Sequence, residues 1–250
     1  MYYRPAETCS SKIYSMMEQL ITVNNDNHRS KQTAARAPIP RIIRNLDFDS
    51  IFKDLGKDDT VYWGKLSSWE FQPHDMEYTE LIYCSFLLLR KLSQDANSSI
   101  PDNKLYLLIL TLESSYHQIN KFHNFKHAID VMQATWQLCE RLIKDPLQRL
   151  LLCIAAIGHD IGHPGSNNQL LCKFESPVAQ HYGNQSVLEN MHRDFLENLL
   201  GHHWPQLLSI NSSKKLNKTN LNILTEAIMA TDMALHEGYV KKLEHTHNEV

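Results

Sequence analysis

The chain has 250 residues, 42% of them hydrophobic and 21% charged, which is the balance of a globular protein and excludes a disordered or membrane-embedded one. A net charge of −3 supplies no basic field for nucleic acid or an anionic membrane surface, so neither is expected as a partner. Fourteen histidines beside five cysteines favour imidazole chemistry over a thiolate site.

The first residues, MYYRPAETCSSK, lack the charged start and apolar core of a secretory signal, and no apolar run approaches a membrane span. A cytoplasmic protein is the expectation, with a nuclear presence left open. Cys9, Cys84, Cys139, Cys153 and Cys172 form no C-x-x-C pair and mostly fall in apolar stretches, so reduced, buried thiols are expected. From Asn24 to Arg44 the chain is polar and basic, with two prolines in APIPR, which reads as a solvated connector. Residues 1–60 are therefore taken as an amino-terminal segment and basic linker, and residues 61–250 as a separate folded portion.

Beyond the linker, apolar residues recur at three-to-four spacing over Tyr78 to Leu92, Lys104 to Ile119, Ala128 to Ile143, Leu147 to Ile157, Ser186 to Leu200 and Leu221 to Val240. Pro101, Pro146, the Gly162–Gly165 turn, Pro177 and the polar stretch Asn211 to Asn220 separate them. No strand alternation competes, so an all-α domain from about Tyr62 is predicted.

Within these helices, polar residues gather where chemistry could be done. His123 and His127 lie four apart at the start of an apolar helix, a spacing that puts both rings on one face, either as metal ligand and proton donor or as two surface histidines. His159, Asp160 and His163 follow the apolar run LLLCIAAI, which reads either as a buried helix end that carries a carboxylate inward, where a cation would have to neutralise it, or as a polar helix terminus followed by a GHPG turn. Asn167, Asn168 and Gln169 can cap a turn or orient a carboxylate. Ser186 to Glu189 has the S-x-x-E form of a capping box. Thr231 and Asp232 interrupt the last apolar helix and need partners, the threonine's commoner one being the carbonyl one turn back.

In this order, YHQINKFHNFKHAIDVMQ, HDIGHPGSNNQLL, SVLENMH and ATDMALH resemble the catalytic domain of class I 3',5'-cyclic nucleotide phosphodiesterases, and LSSWEF resembles its opening. The texture is most similar to the fungal high-affinity cyclic AMP branch. The resemblance implies a compact all-α phosphohydrolase domain of HD type. It implies hydrolysis of a cyclic nucleotide, cyclic AMP before cyclic GMP, to the 5'-monophosphate by a two-metal-activated hydroxide, in cyclic nucleotide signalling.

By the same resemblance His123 is the general acid, and His127, His159 and Asp160 ligate the first metal, with Asp160 bridging to a second. His163, Asn168, Glu189 and Thr231 would act through metal-held waters, and Phe122 and Met233 would flank the substrate. Zinc is expected in the first position and magnesium or manganese in the second. Phe122, Gly162 and Met191 depart from the usual tyrosine, aspartate and histidine of the family. The resemblance also implies that a last ligand aspartate and a purine-binding glutamine lie past Val250. Downstream helices would then cover the apolar faces of Ala128 to Ile143 and Leu221 to Val240. The alternatives are a truncated, non-catalytic fragment that associates with a partner, or another HD-type phosphohydrolase.

Overall fold

A computed structural model describes residues 50, 53, 58–210 and 215–247. Cys9 and the Asn24 to Arg44 connector lie outside the described residues, as does most of the 1–60 segment. The architecture is all-α, as predicted. Helix α1 (Asp59–Leu66) is capped by Asp58, whose carboxylate accepts from the Thr60 amide at 2.8 Å. Helix α2 (Tyr78–Asp95) and α3 (Asp102–Ser115) follow, then α4 (Phe125–Leu142) and α5 (Pro146–Gly158). Asn124 caps α4 by accepting from the His127 amide at 3.2 Å, and Asp145 caps α5 with Pro146 at its first position.

Helix α5 is the centre of the domain. From Leu150 onward nearly every residue is buried, because α4, α2 and a later helix, α10 (Lys218–Met229), all pack against it. The continuous apolar run LLLCIAAI is what such all-round burial requires, each large aliphatic side chain contributing about 1.5–3 kcal/mol. Gly158 ends α5 where α8 (Val187–His203) crosses; a Cβ there would lie 2.7 Å from both terminal methyls of the buried Leu196. Between these helices lie α6 (Asn168–Lys173) and α7 (Pro177–His181), and α9 (Pro205–Leu208) follows α8. A two-residue antiparallel ladder pairs β1 (Ser209–Ile210) with β2 (Lys215–Leu216) and is the only strand pairing among the described residues.

Two helix extents are corrected. The run Leu221 to Val240 is not one helix: α10 stops at Met229, a 3₁₀ turn spans Met233–Leu235, and α11 (His236–His247) begins afresh. Apolar spacing continues on paper across the break because Met233 follows Met229 by four residues and Leu235 follows Ile228 by seven, yet Met233, Leu235 and Val240 are exposed. The helix predicted to Ile119 ends at Ser115, leaving Ile119 92% exposed. The apolar face of α4 is covered only in part by the rest of the fold: Phe125, Ala128, Ile129, Met132 and Trp136 are buried, whereas Leu138 and Leu142 stand out. Cys84, Cys139 and Cys153 are buried as expected, whereas Cys172 is only half-buried. Among the described residues, no helix is long and apolar enough to cross a membrane.

Candidate metal centre and its pocket

The end of α5 and the start of α4 bring the predicted residues together. The Tyr116 hydroxyl, fully inside the core, donates to the Ile157 carbonyl at 2.7 Å and fixes the last turn of α5. Asp160 follows at once. Its Oδ2 lies 3.2 Å from His159 Nε2 and 3.7 Å from His127 Nε2, and its Oδ1 lies 3.9 Å from His192 Nε2. Two sets of donor atoms, each within 4.8 Å of one another, share this carboxylate: His127, His159 and Asp160, and His123, Asp160 and His163.

The hydrogen bonds on the far side of each ring decide what faces the centre. His159 Nδ1 lies 2.8 Å from the Ala156 carbonyl and His192 Nδ1 lies 2.7 Å from the Ile161 carbonyl. A carbonyl only accepts, so both rings carry their proton on Nδ1, and in the neutral state both Nε2 lone pairs turn toward Asp160. Asp160 Oδ2 and His192 Nε2 are buried without a hydrogen-bond partner. Bare lone pairs aimed at a carboxylate repel unless a proton or a cation lies between them, so these residues fit a divalent metal.

The titration of the site carries the same tension. Burial alone would raise the Asp160 carboxyl, but His159, His192 and His123 override it and hold the group well below the usual carboxylate range. For His159, burial works downward and Asp160 beside it wins, leaving the imidazole raised. Burial and the neighbouring His159 lower His127. Burial pushes His192 down to about 3, and burial with the neighbouring His123 pushes His163 to about 4.

His163 has the opposite tautomer to its neighbours. Its Nδ1 accepts from the Gly165 amide at 3.0 Å, so the neutral ring presents an Nε2 proton and stacks on His123 at 3.9 Å between centroids. Asn120 ties the two strands of chain that carry these rings, donating to the His123 carbonyl at 3.1 Å and the His163 carbonyl at 2.8 Å. Gly165 has φ +78°, and a Cβ there would meet Asn120 Oδ1 at 2.8 Å.

A cavity of about 600 Å³ opens over the centre, lined by His123, His127, His159, Asp160, His163, Asn168, Glu189, His192 and the turn from Thr231 to Ala234. Glu189 accepts from Asn168 Nδ2 at 2.9 Å, and Asn168 Oδ1 accepts from the Leu188 amide at 2.8 Å. Burial raises the Glu189 carboxyl, with the Asn168 bond opposing. Thr231 lines the cavity while its hydroxyl donates to the Ile228 carbonyl at 2.7 Å. Met233, 75% exposed, is part of the wall; Phe122 is not, and lies instead against the rings of His127 and His123.

Ser186 makes no capping box. It sits at φ +41°, ahead of α8, with its hydroxyl turned to Asp232 and Glu189 committed to Asn168. Sequence reasoning missed His192, Asn120 and the siting of Asp232 in this wall. For His192 a signal was present, since it follows Glu189 by three residues and so shares its helix face. Asn120 gave none, because its second partner, the His163 carbonyl, lies on a distant loop.

A family model for 3'5'-cyclic nucleotide phosphodiesterases matches residues 122–250. The chain belongs to this family. It is 52% identical over 246 residues to 3',5'-cyclic-nucleotide phosphodiesterase 2 of Saccharomyces cerevisiae, covering 96% of this chain and 44% of that protein. It is 30% identical over 242 residues to mouse 3',5'-cyclic-AMP phosphodiesterase 4C, covering 91% of the chain and 33% of the relative. The crystal structure of yeast caPDE2 superposes with a TM-score of 0.70 at 29% identity, over 84% of this chain and 47% of that one. The chain thus spans less than half the length of each.

Proposed function

We propose that residues 61–250 form part of the catalytic domain of an enzyme that hydrolyses a 3',5'-cyclic nucleotide, cyclic AMP in preference to cyclic GMP, to its 5'-monophosphate. The observation that carries this reading is the convergence of His127 Nε2 and His159 Nε2 on an Asp160 oxygen that is buried and has no hydrogen-bond partner. His127, His159 and Asp160 would hold zinc, and Asp160 would extend to magnesium or manganese beside it. Such ions supply Lewis acidity toward the phosphate and lower the pKa of bound water.

The chain's own residues divide the remaining work. His123 stands free of the His127, His159 and Asp160 set, at the cavity wall, and as an imidazolium would give its proton to the departing 3' oxygen. Its stack on His163 and the Asn120 bond behind it fix the ring's direction. Asn168, Glu189, His163 and Thr231 would act through metal-held waters, Met233 would flank the base, and Phe122, outside the cavity wall, would back the rings of His123 and His127. A cytoplasmic setting in cyclic nucleotide signalling, with the nucleotide as partner, belongs to the same reading.

The test is hydrolysis of cyclic AMP and cyclic GMP by the natural full-length protein supplied with zinc and magnesium, alongside its His127→Ala variant. Turnover of cyclic AMP that vanishes together with bound zinc in the variant is expected. Full turnover by His127→Ala overturns the ligand assignment, and no turnover of either nucleotide by the unaltered protein overturns the reading itself.

A further inference from the structure

The cavity wall opposite the histidines is built from two pieces of chain that sequence keeps far apart: the start of α8 and the turn after α10. One side-chain bond joins them. Ser186 Oγ donates to Asp232 Oδ2 at 2.7 Å, while Asp232 Oδ1 accepts from the Ala234 amide at 2.9 Å. Asp232 is 7% exposed, so both carboxylate oxygens are committed away from bulk water.

Both partners are held in conformations that need a reason. Ser186 is a non-glycine residue in the left-handed region, at φ +41° and ψ +50°. Such a backbone persists only where its surroundings impose it. It forgoes the N-cap bond that serine makes readily, and its hydroxyl is turned to the carboxylate instead. Asp232, three residues past the end of α10, has an extended backbone and starts the 3₁₀ turn that carries Met233.

What the bond controls follows from the next residues along each piece. Two residues past Ser186, the Leu188 amide is bound to Asn168 Oδ1, and Glu189 accepts from the same Asn168 side chain. One residue past Asp232, Met233 enters the cavity wall. We infer that Asp232 is a positioning residue: through Ser186 it locks the Met233 turn to the start of α8 and so fixes the Asn168–Glu189 pair facing the metal centre. The carboxylate itself lies in the wall, with its two oxygens bound to Ser186 and Ala234. This inference rests on the phosphodiesterase reading for its kinetic consequence alone; the lock is a property of the fold.

The experiment uses the full-length protein with Ser186→Ala, Asp232→Ala, the double variant and Asp232→Asn. An asparagine can keep both links, its oxygen accepting from Ala234 and its amide donating to the serine hydroxyl. The first readout is hydrogen exchange at the Leu188 amide, which needs neither metal nor substrate. About tenfold faster exchange is expected in each alanine variant, with no further gain in the double variant and near-normal exchange in Asp232→Asn. The second readout is steady-state kinetics, where KM for cyclic AMP should rise more than kcat falls, with zinc content unchanged. Unchanged Leu188 exchange in either single variant overturns the lock, as does an additive double variant or a failure of Asp232→Asn to restore exchange. A KM that stays constant while exchange responds overturns the functional part. Absence of turnover in the unaltered protein counts against the phosphodiesterase reading, and the exchange data still decide the lock.

Discussion

The two walls of the pocket are held in different ways. On the histidine side, His159 and His192 are fixed by backbone carbonyls at the end of α5 and just beyond it, and Tyr116 and Asn120 brace the same turns. Opposite, the wall depends on side-chain bonds between Asn168 and Glu189 and between Ser186 and Asp232, with Met233 exposed. A centre buttressed by main chain keeps its donor atoms in place, whereas a wall joined by side chains can be retuned by single substitutions. On the proposed reading, metal chemistry and substrate fit would fall to parts of the fold with different tolerance.

The comparison breaks most visibly at the shared carboxylate. Asp160→Asn should abolish binding at both metal positions and lower cyclic AMP turnover on the order of 1,000-fold or more. Metal analysis of the purified variant checks it, and two ions per chain would refute bridging by Asp160. Next, His123→Ala should cost roughly 100- to 10,000-fold in kcat while leaving metal content intact. His127→Ala should lose the metal as well, so equal, normal metal contents in both variants would contradict the division of roles.

Acid should expose the cost of holding the histidine wall neutral. In metal-free protein, His163 and His192 titrate at about 4 and about 3, below the ordinary histidine value of 6.5. The unfolded chain therefore takes up these protons first as pH falls, and folding weakens from about pH 6.5 down to the folded values. His159, raised by Asp160, works the other way and softens the effect. A melting temperature several degrees lower at pH 5 than at pH 7 is expected, corresponding to roughly 2 kcal/mol for each depressed histidine. A flat profile would show that these imidazoles are not desolvated.

Smaller effects sharpen the contrast. Gly158→Ala should destabilise the fold by about 1–2 kcal/mol, since the new methyl must displace the buried end of Leu196; thermal unfolding reads this directly. Met233→Ala should change stability by less than about 0.5 kcal/mol because the side chain is exposed. It should nonetheless raise KM for the nucleotide, and an unchanged KM would remove Met233 from the substrate wall.

Local pattern was enough to find the helices of the core and the histidine side of the site. The apolar run before His159 read as a buried helix whose end turns Asp160 inward, and both are buried. The four-residue interval of His123 and His127 suggested one helical face, but α4 begins at Phe125, so His123 stands ahead of the Asn124 cap and is placed by its stack on His163 instead. Capping chemistry was less legible. Ser186 and Glu189 had the spacing of a capping box, but each found a stronger partner in another segment.

Sequence alone therefore determined the all-α class, the family resemblance and the nearness of His159 and His163 to Asp160, because helical period and short turns are set by neighbours within a few residues. Only the tertiary structure decided that α10 stops before Asp232, that His192 turns a bare nitrogen toward Asp160, and that Asn120 spans two loops. Each of those outcomes depends on a partner atom from a distant part of the chain. The period of Met233, Leu235 and Val240 could not signal the break, since an apolar repeat continues on paper whether or not a core lies beneath it.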